Sequence, residues 1–396
     1  MKKMILSLGI ALFALCGCKE TSSVKESEGR IVVDITQPEK NLKMSDLFSD
    51  IKYVKLETTS ESLIQYINRV VDLDGNLLVV DRDNQSLLLF DKDGRFIKKI
   101  AGQGKGPGEY SKMYDVAVDK EGRRLFVLDA YAQSVLIYDF DGKCLDSKKF
   151  GFWAHELEYI GGDKVLLYCG YAIMSNGYVK ENAYPTFFVF GLKDGTITPF
   201  QYISNEIKPD EVASPASALA SSGNGRAYCF NDLTHEIDVM NEEGVERTLT
   251  LDFGEEDTER RRTFVKLLEE KNNDFQSLGR MKHISVFSIV GTDDYLLFSA
   301  FEPLSENGQA RLLIAYSPES GKCVYGKKMW NEPLDYDIDG SMPFRHISGD
   351  GDKLYGYVMP ERLLSSESDS EMLKQLKEGL LEDDNPILVI ATTKPL

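Results

Sequence analysis

Short apolar runs alternate with polar turns through most of the 396-residue chain. In the segment 70–100 and its flanking residues, four such runs lie at about 69–73, 77–81, 86–91 and 96–100. The segment 117–150 repeats the same pattern. Short runs with alternating apolar positions, separated by Asp-Gly turns, are typical of consecutive antiparallel strands. Each segment therefore predicts a four-stranded antiparallel meander.

Three pairs of positions, each separated by 48 residues, fix the register of this repeat: Asp81 and Asp129, Asp91 and Asp139, and Gly94 and Gly142. One such sheet cannot bury both of its faces, whereas a ring of sheets can, which is the β-propeller arrangement. Less regular copies follow at about 155–200, 216–253, 283–329 and 344–393.

The last copy lacks one outer strand, which either 31–35 or 53–57 would supply. A strand from the N-terminal segment would also close the ring and remove an unpaired edge. The sequence thus predicts an all-β fold, a six-bladed β-propeller of four-stranded antiparallel blades. A seven-bladed ring is the alternative if residues 31–66 contain another partial unit.

The N-terminus has the features of an export signal. Lys2 and Lys3 precede an apolar stretch at 4–14 that is too short to span a bilayer comfortably, and Leu15-Cys16-Gly17-Cys18 follows. This ending resembles the bacterial lipobox, which implies cleavage before Cys18 and a lipid on its thiol. We expect a signal peptide at 1–17, the lipidated Cys18 with a flexible tether at 18–30, and the propeller at 31–396. An ordinary secretory signal is the alternative.

The net charge argues against two classes of partner, and the cysteine spacing argues against a zinc site. The formal net charge is −18, which opposes binding to nucleic acid and docking on anionic lipid through a basic patch. The cysteines beyond the signal, Cys144, Cys169, Cys229 and Cys323, lack the spacing of a zinc site. We expect free thiols, with a Cys169–Cys229 disulfide as the alternative.

One glycine-rich link gives a more specific resemblance. The segment 102–110, GQGKGPGEY, follows the strand pair FDKDGRFIKKI. It resembles the NHL-type repeats of six-bladed β-propeller lipoproteins of Bacteroidetes, which implies a propeller fold and an outer-membrane address. The link lacks the ending of a phosphate-binding loop. We interpret it as a structural motif formed by Gly104, Gly106, Pro107, Gly108, Glu109 and Tyr110.

The long insertions are predicted to lie on one face of the ring. In an antiparallel blade, the second turn and the link to the next blade lie on the same face, and five long segments fall at such positions: 172–185, 254–282, 302–310, 331–343 and 360–385. Apolar residues at helical spacing predict helices within 255–280 and 368–381. Loops on a rigid scaffold often bind ligands, so this face is the predicted binding face.

Aromatic side chains in the loops and blade links on this face are the candidate ligand contacts: Trp153, Tyr178, Tyr184, Trp330 and Tyr336. Flat rings beside polar groups suit a glycan, a peptide or a protein partner. Packing at a blade junction would explain the same residues without any ligand.

Two features raise the alternative of a metal. Asp335, Asp337 and Asp339 match the start of a calcium loop, although His346 stands where such a loop needs a glutamate. His155, His283 and His346 each precede or enter an expected innermost strand, so they could meet at the channel mouth.

The sequence contains no recognisable catalytic motif. We therefore favour a cell-envelope lipoprotein with a binding or scaffolding role and without a cofactor. The first alternative is a propeller hydrolase or lyase that uses Ca²⁺ or another divalent metal. A structural subunit of an outer-membrane assembly is the second.

Overall fold

Six four-stranded antiparallel sheets stand in a ring around a central channel, which confirms the six-bladed β-propeller. In this computed structural model the described residues are 29–35, 42–170, 178, 182–207, 215, 217–222, 225–270, 283–303, 309–329, 345–366 and 371–396. Within each blade, the first strand along the chain lies next to the channel and the following strands lie progressively further out, except that the outermost strand of blade six comes from the N-terminal segment.

The described residues of the first three blades form strands and turns without a helix. Blade one contains β3 (Arg69–Leu73), β4 (Asn76–Asp81), β5 (Ser86–Phe90) and β6 (Phe96–Lys99). Blade two contains β7 (Met113–Asp119), β8 (Arg124–Asp129), β9 (Ser134–Asp139) and β10 (Cys144–Lys149). Blade three contains β11 (Glu156–Tyr159), β12 (Lys164–Tyr168), β13 (Ala183–Gly191) and β14 (Ile197–Ser204).

The other three blades carry the helices in their connections. Blade four contains β15 (Leu219–Ser222), β16 (Arg226–Asn231), β17 (Glu236–Asn241) and β18 (Gly244–Asp252). Blade five contains β19 (Ser285–Gly291), β20 (Leu296–Phe301), β21 (Ala310–Tyr316) and β22 (Cys323–Met329). Blade six contains β23 (Arg345–Asp350), β24 (Lys353–Val358), β25 (Ile387–Thr393) and β2 (Phe48–Lys55).

The N-terminal segment attaches to the ring at two places. The strand β2 pairs with β25 in antiparallel register and is the outermost strand of blade six. It overlaps one of the two segments that the sequence offered for this position, 53–57. The other segment contributes β1 (Arg30–Val32), which pairs in parallel with β18 as a fifth strand of blade four. Among the described residues, the strands of the ring lie between residues 30 and 393.

The apolar interior lies between neighbouring blades rather than in one central core. Each of the six blade junctions contains its own cluster of buried apolar side chains. The middle strands are consequently covered on both faces, and all five residues of β5 are buried. Alternation of covered and exposed side chains is clear only in outer strands such as β6. The alternation of apolar and polar positions expected for all four strands of a blade is thus found only in the outer strands.

The helices beyond residue 250 lie on the face predicted to carry the insertions, which we call the insertion face. α2 (Glu255–Glu269) lies in the link from blade four to blade five, whereas α3 (Pro360–Leu364) and α4 (Glu371–Lys377) lie between β24 and β25. The short α1 (Met44–Leu47) precedes β2 and lies on the opposite face, where its Leu47 carbonyl accepts a hydrogen bond from the Tyr295 hydroxyl at 2.8 Å. In the described part of the chain, no helix has the length and apolarity needed to span a bilayer.

The four cysteines beyond the signal are free thiols, so the alternative of a Cys169–Cys229 disulfide is wrong in this structure. Both of these thiols are buried, and burial raises the pKa of each well above its usual value. A high pKa and lack of access both disfavour the reactive thiolate.

Candidate ligand-binding site on the insertion face

Three aromatic rings form a contiguous surface on the insertion face, where blade two meets blade three. The ring centroids of Tyr114 and Trp153 are 5.1 Å apart, and those of Tyr131 and Trp153 are 5.5 Å apart. His155 lies beside them, with its ring 6.0 Å from that of Trp153. Tyr131 is 65% exposed although its ring packs against that of Trp153. We call Tyr114, Tyr131, Trp153 and His155 the aromatic platform.

Local backbone features place each ring. Tyr114 lies at a bulge, because the pairing of β7 with β8 shifts between Met113 and Asp115. A bulge redirects a side chain out of the regular alternation of a strand. Tyr131 lies in the turn between β8 and β9, which Asp129 holds by accepting the amide of Ala132 at 3.0 Å. The platform is therefore preformed by strands and a fixed turn.

The same aspartate joins this turn to the chain entering blade two. Its carboxylate also accepts the amide of Ser111 at 2.6 Å. In blade one, Asp81 accepts the amides of Gln65 and Asp83 in the same way. Asp81 and Asp129 thus hold equivalent turns on the insertion face, which is a structural role.

The surroundings of the platform are polar. The guanidinium of Arg82 donates to the carbonyl of Tyr114 at 3.3 Å and remains exposed. Burial, followed by the nearby charge of Arg82, lowers the pKa of His155. The imidazole is therefore neutral at pH 7, when one ring nitrogen donates and the other accepts. Exposed rings beside such donors and acceptors can bind a ligand that has both apolar and hydroxyl surfaces.

The other candidate aromatics have different surroundings. Tyr178 packs against Phe152 and Phe188, with ring centroids 6.0 and 5.5 Å apart. Tyr184 packs beside the apolar cluster under α2. Trp330 and Tyr336 lie outside the described residues. Of the five aromatics chosen from the sequence, the structure places Trp153 alone in the platform.

Sequence reasoning missed Tyr114 and Tyr131, because neither lies in a long insertion. Tyr131 did leave a signal in the repeat. It stands 48 residues after Asp83, so a large ring replaces a charged residue in an otherwise matching turn.

The candidate metal ligands are dispersed as far as the structure describes them. His283 packs against Phe264 of α2, with ring centroids 4.8 Å apart, whereas His155 belongs to the platform. His346 lies in β23, and its side chain is not described. Asp335, Asp337 and Asp339 lie outside the described residues. Among the described residues, no group of three His, Cys, Asp or Glu side chains could hold a metal ion.

The glycine-rich link is stabilised by its own side chains. The carboxylate of Glu109 accepts the amide of Gly106 at 2.7 Å, and a Cβ on Gly104 would lie 1.8 Å from that carboxylate. Tyr110 is fully buried, and its hydroxyl donates to the carbonyl of Gln85 at 2.7 Å. The link therefore connects blades one and two tightly and leaves no room for a phosphate at Gly104.

The channel contains a belt of polar side chains that join neighbouring innermost strands. The Asp115 carboxylate accepts the amide of Leu157 at 2.9 Å. Glu156 similarly accepts the amides of Ala218 and Leu219, at 2.9 and 3.0 Å. Burial and the nearby Asp115 raise the pKa of Glu156 to about 7, against the opposing effect of these amide bonds.

Arg69 crosses this belt. Its guanidinium donates to Glu158 at 2.9 Å and lies 3.7 Å from the carboxylate of Asp115. Edge strands leave backbone amides that need partners. The channel carboxylates supply such partners, so their observed contacts hold the ring together.

Residues 30–392 match a domain of unknown function, DUF4934. The chain belongs to the DUF4934 family. Among curated proteins there is no match to this DUF4934 chain.

Two solved structures are similar to the DUF4934 propeller. One is a Bacteroides fragilis protein described as exported, with 17% identity, a TM-score of 0.67 and coverage of 92% of this chain and 99% of that one. The other is a DUF4221-family member from Bacteroides vulgatus, with 11% identity, a TM-score of 0.53 and coverage of 88% and 97%. At these identities the likeness shows the fold.

Proposed function

We propose that this DUF4934 propeller is a lipid-anchored protein of the bacterial cell envelope that binds a neutral glycan on the aromatic platform. The observation that carries the binding role is the exposed Tyr131 ring packed beside Trp153 on the insertion face. A sugar ring offers an apolar C–H face for stacking and hydroxyl groups for Arg82 and His155. The net charge of −18 favours a neutral glycan over an acidic one.

The envelope address is supported by the sequence Leu15-Cys16-Gly17-Cys18 and by the exported description of the Bacteroides fragilis structure. A single acyl chain anchors weakly, so stable attachment needs more than one chain. Lipidation of Cys18 and residence in the outer membrane complete the proposal.

Glycan binding can be tested by fluorescence, because the chain has two tryptophans. Residues 19–396 carrying Trp330→Phe would retain Trp153 as the single reporter. The probes are neutral hexasaccharides of glucose, mannose, xylose and N-acetylglucosamine, with unstructured peptides in parallel. We expect at least one glycan to change the Trp153 emission and to bind about two- to tenfold more weakly to Tyr131→Ala, since an aromatic contact contributes about 0.5–1.5 kcal/mol.

Tyr66→Ala is the matched control, because Tyr66 is also exposed, at 43%, and lies outside the platform. Equal affinity of Tyr131→Ala, Tyr66→Ala and the parent would contradict the proposed site. If peptides bind, glycans do not, and Tyr131→Ala weakens the peptides to the same extent, the proposed site is correct and its ligand is a peptide. If none of the probes binds, the binding role on this platform is wrong.

Anchoring can be tested on the full chain expressed with its signal. Incorporation of a labelled fatty acid and partition into the detergent phase should both be lost in Cys18→Ser. Cys16→Ser, two residues earlier, should retain both properties. Retention of the label in Cys18→Ser would show that this cysteine is not the anchor.

A further inference from the structure

A cavity of about 610 Å³ lies on the insertion face, between α2 and the outer strands of blades three and four. Apolar side chains form much of its wall, among them Ile203, Ile207, Leu233 and Val265. This volume falls within the range of pockets that bind small molecules. The cavity is separate from the aromatic platform, which lies between blades two and three.

A buried arginine of α2 lines this cavity. The Arg261 side chain is 7% exposed, and its Nη1 donates to the carbonyl of Leu233 at 3.1 Å. Within the described residues, no acceptor reaches its Nε and no carboxylate forms an ion pair with it. A buried charge is normally paired, because desolvation without a partner costs several kcal/mol.

The nearest acidic side chain on the same helix is already engaged. Asp257 is buried and accepts the amide of Ile284 at 2.6 Å, which holds the chain where it returns from α2 to blade five. Burial lowers the pKa of the Arg261 guanidinium, and the more distant charges of Asp257 and Glu236 oppose this effect. Arg261 therefore has a charge that these neighbours compensate only in part.

The lining of the cavity has a small excess of positive charge. Its cationic side chains are Arg30, Arg261, Arg262 and Lys266, and its acidic ones are Glu236, Asp252 and Glu269, of which Asp252 forms an ion pair with Arg30. Behind Arg261, the imidazoles of His235 and His283 are 1% and 5% exposed. Burial and the charge of Arg261 lower the pKa of both, so they are neutral at pH 7.

We propose that this cavity binds a small organic acid with an apolar body. The carboxylate would accept charge-assisted hydrogen bonds from the Arg261 guanidinium where this side chain lines the cavity. The apolar body would lie against Ile203, Ile207 and Val265. The site differs from the proposed glycan site in its residues and in its ligand, so either can fail without the other.

The probes are octanoate and 4-phenylbutyrate, with octanamide and 4-phenylbutanamide as neutral counterparts of the same shape. Isothermal titration calorimetry on residues 19–396 measures stoichiometry and affinity. We expect at least one acid to bind at one per chain and its amide to bind at least tenfold more weakly. Arg261→Gln should weaken the acid at least tenfold, whereas Arg260→Gln, at the exposed neighbouring position, should not.

A second variant separates loss of the site from loss of the fold. Val265→Glu places a carboxylate one turn along α2 from Arg261, where it can pair with the guanidinium inside the cavity. We expect this variant to keep or raise the melting temperature of the parent and to abolish acid binding. The proposal is overturned if neither acid binds, if the amides bind as well as the acids, or if both acids bind Val265→Glu and Arg261→Gln with parental affinity.

Discussion

Replacing Gly142 by alanine should loosen the junction between blades one and two. Gly142 lies in the turn between β9 and β10 with a φ of +89°. An added Cβ would lie 2.0 Å from the carbonyl oxygen of Ile100, in the last residues of blade one. Carbon and oxygen atoms do not approach so closely without repulsion, and therefore the two blades must move apart.

The expected magnitude has two parts. A positive φ costs a non-glycine residue roughly 1–2 kcal/mol, and overpacking of a tight contact typically costs about 1–3 kcal/mol. Gly75 allows the two to be separated, because its φ is +86° and nothing lies within 4 Å of its Cβ position. Gly75→Ala should therefore destabilise the fold by about 1–2 kcal/mol, and Gly142→Ala by roughly 2–5 kcal/mol.

Urea unfolding of residues 19–396 at 25 °C, followed by both fluorescence and circular dichroism, provides the free energies of unfolding. Agreement of the two signals checks that a single transition is being compared. If Gly75→Ala and Gly142→Ala lose the same stability within about 0.5 kcal/mol, the turn does not act through blade spacing. The reasoning would then be wrong for Gly94 as well, whose Cβ would meet the carbonyl of Lys55 at 2.1 Å.

Three further predictions concern buried polar groups. The pKa of Glu156 is about 7 in the folded chain and 4.5 in the unfolded chain. Protonated Glu156 therefore contributes stability that is fully present below pH 4.5 and is lost as the pH rises through 7. The free energy of unfolding of the parent should fall by up to about 3 kcal/mol between about pH 4.5 and 8. In urea unfolding, the free energy of Glu156→Gln should depend less on pH, and an equal pH dependence of the two proteins would contradict this. Tyr110→Phe removes the donor to a buried carbonyl and should cost about 1–3 kcal/mol in the same assay, whereas an unchanged midpoint would exclude a net contribution from this bond. Cys169 and Cys229 should react with a thiol reagent only after denaturation, and rapid reaction of either in the native protein would contradict their burial.

The sequence predicts the architecture well because the repeat encodes local turn chemistry. Asp81 and Asp129 hold equivalent turns through backbone amides, and Gly94 and Gly142 occupy equivalent close contacts between blades. These requirements are the same in the first two blades, so they leave the same residues at the same spacing there. The choice of closing strand is less visible, since two apolar segments near the N-terminus both form strands and differ only in their partners.

The candidate sites are harder to predict for a physical reason. Apolar residues at helical spacing predict a helix within 255–280, yet Asp257 and Arg261 are also buried on α2. A pattern of hydrophobic positions assigns charged residues to solvent, so it cannot reveal a buried arginine. Tyr114 escapes the pattern similarly, because a bulge rather than strand periodicity sets its direction.

The two attachments of the N-terminal segment have a mechanical consequence. Force applied through the residues before 29 would reach β1 first, where three residues pair with β18 and Arg30 forms an ion pair with Asp252. The next contact is the hydrogen bond from Tyr325 of blade five to the carbonyl of Asp34. The strand β2, which closes the ring with eight residues, carries the load only after those contacts break. Under tension the short strand β1 would therefore detach from blade four first, while β2 stays paired with β25 and the six blades remain closed.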